Sequence, residues 1–200
     1  MTMDQEQKAP GRLLHGALVR LTALTPDDLP AIARWYENTE FLRLFDSRPA
    51  YPQTEKEIAQ WLEEMQKSAN DFPFGIRRLD NDELIGYVEI DGVAWTHQVG
   101  GMGLGIGDAA NWGKGYGYEA TQLALEFAFQ ELNLHRVVVT VYSYNKRSMR
   151  LCEKLGFQRE GVYREHLLRD GRRYDMHVFG LLRREWEAHT RSKEEETSTF

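Results

Sequence analysis

The stretch Asn111-Trp112-Gly113-Lys114-Gly115-Tyr116-Gly117-Tyr118-Glu119-Ala120 decides the fold, because it sets a glycine-alternating turn against the start of a long apolar-periodic helix. Glycines at every second position let the backbone turn sharply and leave its N–H groups uncovered, and a helix starting there adds the positive end of its dipole. Such a turn is an anion cradle suited to a diphosphate, and it needs no charged side chain. Downstream, Ala120, Leu123, Ala124, Phe127 and Ala128 recur at helical spacing, an apolar stripe broad enough to pack on a sheet. The β-branched run from Arg136 to Tyr142 then predicts a strand buried on both faces. With a strand before the turn, this helix is the connection of one parallel crossover.

Working outward, Leu18 to Leu24 alternates as a strand, and Thr25-Pro26 opens a helix that runs to about Asn38. Thr54 with Glu57 is a capping box, and Ile58, Trp61, Leu62 and Met65 give the helix after it one apolar face. Phe72 to Leu79, Leu84 to Val93 and the glycine-dense Val99 to Gly107 read as strands, with a hairpin turn at 79–83. Beyond the buried strand, Asn145 caps a short helix that Gly156 ends. The last two strands, Gln158 to Leu168 and Arg173 to Leu182, meet across an Asp170-Gly171 hairpin. The resulting order, β, α, α, β, β, β, α, β, α, β, β, is that of a mixed α+β sheet.

A chain of 200 residues with 42% hydrophobic content supplies one packed domain, expected over 11–190. Residues 1–10 and 191–200, the latter with the Glu194-Glu195-Glu196 run, have the composition of unordered solvated tails. The lone Cys152 excludes an internal disulfide, and the six histidines show no metal-ligand spacing, so no metal is expected. A net charge of -6 with a pI of about 5.6 argues against a nucleic-acid partner. No stretch approaches the roughly 18 apolar residues of a membrane span, and no apolar leader is seen, so the expected location is cytoplasmic.

Taken together, these motifs resemble those of GNAT-superfamily N-acetyltransferases, in the RimJ/RimL-like branch. The resemblance covers nearly the whole folded body. It rests on Leu104-Gly105-Ile106-Gly107 running into Trp112 to Ala120, on Leu134-His135-Arg136, and on Asn145, Ser148 and Glu153-Lys154-Leu155-Gly156-Phe157. Arg164-Glu165, Asp170-Gly171 and Tyr174-Asp175 complete it. The resemblance implies a mostly antiparallel seven-stranded sheet with one splayed parallel pair, acetyl-CoA as donor, and direct acetyl transfer to an amine. It implies that Gly113, Lys114, Gly115, Tyr116, Gly117 and Tyr118, with Trp112, hold the coenzyme pyrophosphate. Leu104, Gly105 and Ile106 would offer free backbone groups to the pantetheine arm, with Asn145 and Ser148 beside it.

Two positions depart from the family pattern. Trp112 stands where many members carry Arg or Gln, although tryptophan is usual in this branch. Cys152 stands where many carry the tyrosine that protonates the departing thiolate. The proton donor is therefore sought among Cys152, Ser148, Tyr116 and Tyr163. An amine nucleophile must also lose a proton, for which Glu89 is ranked first, before Asp91 and His97. Plainer readings stand beside these: Cys152 as a small core residue with Met149 and Leu155, Ser148 as a turn cap, and Glu89 as a solvated strand residue.

Two other functions fit parts of the chain. Gly105-Ile106-Gly107-Asp108-Ala109-Ala110 matches a dinucleotide fingerprint of an oxidoreductase, but that fingerprint should itself open the helix. A coenzyme-binding sensor without catalysis would explain the missing tyrosine. Acceptors compatible with the resemblance and the acidic balance include a protein or peptide α-amine, a polyamine, an aminoglycoside and an amino acid. The early helices around Trp35 to Phe45 and Trp61 to Met65 are expected to wall the acceptor, and a homodimer is possible as in relatives.

Overall fold

The computed structural model describes residues 13–198, so the tail expected at 1–10 lies outside it, as do residues 199 and 200. Strands β1 (Val19–Thr22), β2 (Phe72–Arg78), β3 (Leu84–Ala94), β4 (Val99–Ile106), β5 (Arg136–Tyr142), β6 (Gln158–Arg169) and β7 (Arg172–Leu182) form one sheet in the order β1-β2-β3-β4-β5-β7-β6. Every neighbouring pair is antiparallel except β4 with β5. The helices are α1 (Leu29–Tyr36), α2 (Thr39–Phe45), α3 (Glu55–Lys67), α4 (Tyr116–Glu126), α5 (Lys146–Lys154) and α6 (Arg183–Ser198).

Two apolar cores form, as expected of a sheet that needs cover on both faces. Ile32, Trp35, Tyr36, Phe41, Leu42, Ile58 and Leu62 from α1 to α3 pack with Leu84 and Tyr87 of β3. Ala120, Leu123 and Ala124 of α4 pack with Cys152 of α5 and with sheet residues including Val88, Val137 and Phe179. The capping box at α3 is formed: the Glu57 N–H donates to Thr54 Oγ1 at 3.3 Å, and the Thr54 N–H to Glu57 Oε2 at 2.8 Å. The 170–171 turn carries φ of 50° and 71° at Asp170 and Gly171, the conformation an Asp-Gly hairpin requires.

Glu119, in the first turn of α4, ties the cradle helix to the first strand. Its carboxylate accepts from the N–H groups of Ala17, Leu18 and Val19 at 2.8, 2.7 and 2.7 Å.

Three expectations need correction. First, the helix expected to run to about Asn38 ends at Tyr36, and Asn38 instead caps a separate helix, α2, by accepting from the Glu40 and Phe41 N–H groups. Second, α6 runs through Ser198, into the segment expected to be an unordered tail from 191. Its near half is anchored by Trp186, whose ring lies 5.1 Å from that of Phe129, and by Arg183, which donates to the Leu134 carbonyl at 3.1 Å. Third, β5 is not buried on both faces: Thr140 is exposed and Val139 half-buried, because β4 leaves β5 at this level.

Candidate active site

The parallel pair is short. Only Val99, Gly100 and Gly101 of β4 pair with Arg136, Val137 and Val138 of β5. From Met102 to Ile106, β4 continues against β3 alone, while β5 from Val139 to Tyr142 continues against β7. The splay leaves backbone groups of both strands without a strand partner and opens a cleft of about 610 Å³ between them.

At one end of the cleft stands the cradle. Gly113 and Gly115 have φ of 75° and 91°, the left-handed region that side chains resist, which is why glycine is needed at both. Gly115 is the N-cap of α4 and no side chain caps the helix, so its first N–H groups are available to an anion. Trp112 fixes the turn by donating its indole N–H to the Ile106 carbonyl at 2.7 Å.

Arg147 of α5 lies over the Trp112 ring at 4.3 Å, and Lys154 over the Tyr118 ring at 4.3 Å. Both cations line the cleft. Sequence reasoning assigned neither a role, because the contacts join α5 to the turn across the fold.

At the other end the cleft is walled by Tyr36, Phe41, Phe45, Trp61, Tyr87 and Glu89. The Tyr36 and Tyr87 hydroxyls bond each other at 2.7 Å. Glu89 projects from β3 opposite Gly103 of β4, where a Cβ would come within 3.0 Å of Glu89 Oε1. Glu89 Oε2 is buried without a hydrogen-bond partner. Burial, with the Asp91, Asp71 and Asp46 carboxylates adding to it, raises the Glu89 pKa to about 7. Asp91 also lines the cleft, and its pKa is raised, chiefly by burial.

The cleft brings together most of the residues expected there: Leu104, Gly105, Ile106, Trp112, Gly113, Gly115, Gly117, Tyr118, Asn145, Ser148 and Cys152, besides Glu89. Lys114 and Tyr116 are not among its walls; Lys114 is exposed at the turn and the Tyr116 ring faces Arg78, 5.6 Å away. Asn145 is held structurally, its Oδ1 accepting from the Ser148 N–H at 3.1 Å and its Nδ2 donating to the Leu44 carbonyl at 3.3 Å. Cys152 is 4% exposed within the core, and burial, with the Glu153 carboxylate adding to it, pushes its thiol up to about 12. Tyr163 is 52% exposed on β6 and His97 sits exposed in the β3–β4 turn, both away from the cleft walls.

The dinucleotide reading fails on this geometry. Gly105-Ile106 lies inside β4, β3 and β4 are antiparallel, and the helix opens only at Tyr116. Among the described residues, no group of histidine, cysteine and carboxylates is placed to hold a metal ion, and no helix is long and apolar enough to cross a membrane.

The sheet thus splits at its parallel pair, and the uncapped N-terminus of α4 stands at the split. Residues 19–158 match the model of the acetyltransferase (GNAT) domain. The chain is 33% identical over 172 residues to the SPbeta prophage-derived uncharacterized N-acetyltransferase YokL of Bacillus subtilis, covering 86% of this chain and 94% of that one. It is 30% identical over 162 residues to the [ribosomal protein uS5]-alanine N-acetyltransferase of Escherichia coli, covering 78% and 82%. Its fold superposes on spermidine N-acetyltransferase from Vibrio cholerae, solved with CoA and spermine, with a TM-score of 0.77 at 24% identity, covering 84% and 97%. The chain therefore belongs to the GNAT family of N-acetyltransferases, on its RimJ/RimL-like side, and is an acyltransferase.

Proposed function

We propose that this enzyme transfers the acetyl group of acetyl-CoA directly to a primary amine, with no acyl-enzyme intermediate, in the cytoplasm. The observation that carries the reading is one continuous cleft joining the glycine-built N-terminus of α4 to the partnerless Oε2 of Glu89. Backbone N–H groups at Gly115 to Tyr118 fit the pyrophosphate, and the open edge of β4 fits the pantetheine arm. Acetyl-CoA supplies the acetyl group as an activated thioester. Glu89 takes the proton of the bound ammonium, freeing the nitrogen lone pair for the new N–C bond as the C–S bond breaks. The β4 edge offers backbone donors to the carbonyl oxygen as it gains charge.

The departing sulfur takes up the second proton that the nitrogen sheds on becoming an amide, relayed through the Ser148 hydroxyl or water it orders, since Cys152 is 4% exposed within the core. Acceptors of the protein N-terminal, polyamine and other small-amine classes all present the amine this site needs. Release of free thiol on adding an amine tests the proposal. Tight coenzyme binding without turnover on any amine would leave a coenzyme sensor in its place.

A further inference from the structure

Around the first turn of α4 the cleft carries more positive charge than a diphosphate held on backbone N–H groups requires. Helix α5, nine residues long in a chain of net charge -6, sets Lys146, Arg147, Arg150 and Lys154 against the single carboxylate of Glu153. Arg147 and Lys154 stand two helical turns apart, which puts them on one face of α5, and both line the cleft. Among the described residues, neither forms an ion pair with a carboxylate. Each rests instead on an aromatic face, the Arg147 guanidinium 4.3 Å from the centre of the Trp112 ring and the Lys154 ammonium 4.3 Å from that of Tyr118.

The two cations occupy different stations. Trp112 precedes the glycine turn and its indole is tied to the Ile106 carbonyl, so Arg147 is held beside the turn itself. Tyr118 lies in the first turn of α4, and a second ammonium shares it: Lys193 of α6 stands 4.9 Å from the ring centre and meets the hydroxyl. Two ammonium groups gathered on one ring repel each other, and an anion seated beside them offsets that repulsion. A phosphate monoester is the best match, because it approaches a double negative charge at neutral pH, whereas each phosphorus of a diphosphate diester carries one. Lys154 is exposed, which places this station at the mouth of the cleft, where the outer part of a nucleotide would lie.

Resting on the acetyltransferase reading, we infer that Lys154, with Lys193 beside it, binds the phosphate monoester on the ribose 3′-oxygen of coenzyme A, so that the enzyme distinguishes the coenzyme from its 3′-dephospho form. The backbone N–H groups of α4, with Arg147 at their side, hold the diphosphate that both forms share. The Lys154 station alone reads the additional phosphate.

The test is the calorimetric Kd of the full chain for coenzyme A and for 3′-dephospho-coenzyme A, at neutral pH and low salt. Coenzyme A is expected to bind about tenfold more tightly. Lys154→Gln is expected to bring the two within about threefold by weakening coenzyme A alone, whereas Arg147→Gln is expected to weaken both forms by the same factor and keep the preference. Both side chains are exposed, so neither change disturbs the core. Equal affinities in the unaltered protein would overturn the inference while the acetyltransferase reading stands. So would a Lys154→Gln variant that keeps the preference or weakens both forms alike, or an Arg147→Gln variant that loses it. If neither form binds, the coenzyme reading falls together with the inference.

Discussion

In the proposed mechanism Glu89 is the residue on which the chemistry turns. Its carboxylate is held at about 7, so the base form grows as pH rises through neutrality, and kcat/KM for an amine is expected to rise across the same range. Glu89→Gln is expected to lower kcat/KM by about a hundredfold and to remove this limb of the pH profile, read by thiol release. Stability should move the other way. The folded chain binds more protons than the unfolded one between the ordinary 4.5 and about 7, so the contribution of Glu89 is fully present below 4.5 and lost as pH rises to 7. Above that window the buried charge costs on the order of 3 kcal/mol, and Glu89→Gln is expected to raise Tm at pH 8 but not at pH 4. Cys152→Ala is expected to leave the maximal rate unchanged and to cost about 1 kcal/mol of stability by chemical denaturation, the signature of a packed side chain. The sequence places Glu89 on a strand facing the acceptor side, and the side chain lines the cleft. Arg147 and Lys154 carry no such local signal, because their contacts with Trp112 and Tyr118 join α5 to the turn across the fold.

The cradle belongs to the scale of elements. Gly115 sits at φ 91° with its N–H end toward the cleft, and Gly115→Val places a branched side chain where backbone and ligand must approach. A rise of at least about tenfold in the Kd for CoA is expected by calorimetry, with the fold retained. Normal affinity in a folded variant would contradict the site. The turn and α4 were readable because glycine alternation and a helical stripe are local signals. The short α2 was hidden because Asn38 serves as its cap only two residues beyond α1, and a seven-residue helix carries little periodicity. The far half of α6 was hidden because its sequence is charged. What holds it comes from elsewhere: Lys193 meets the Tyr118 hydroxyl. The inner face of β5 misled for a different reason, since a strand beside a ligand cleft carries the same apolar residues as one covered by protein.

At the scale of the molecule, the sheet is two halves joined by three residue pairs of β4 and β5, and the gap between the halves is the candidate active cleft. The crossover helix α4, which connects the halves in the chain, is tied to the first strand through Glu119. Glu119→Ala leaves three N–H groups of 17–19 without their carboxylate and is expected to destabilise the fold by about 2 kcal/mol in denaturant unfolding. The order of the seven strands and the single parallel crossover followed from the sequence, whereas the far end of the cleft is assembled from α2, α3 and β3 and exists only in three dimensions. The central claim, that this cleft moves an acetyl group from acetyl-CoA to an amine, is tested most directly by following free thiol and the mass of the amine together. The account predicts thiol release that requires the amine, matched one for one by acetylated amine, and lost together in Glu89→Gln. Thiol release that is indifferent to every amine, or an acetyl group retained on the protein, would contradict it.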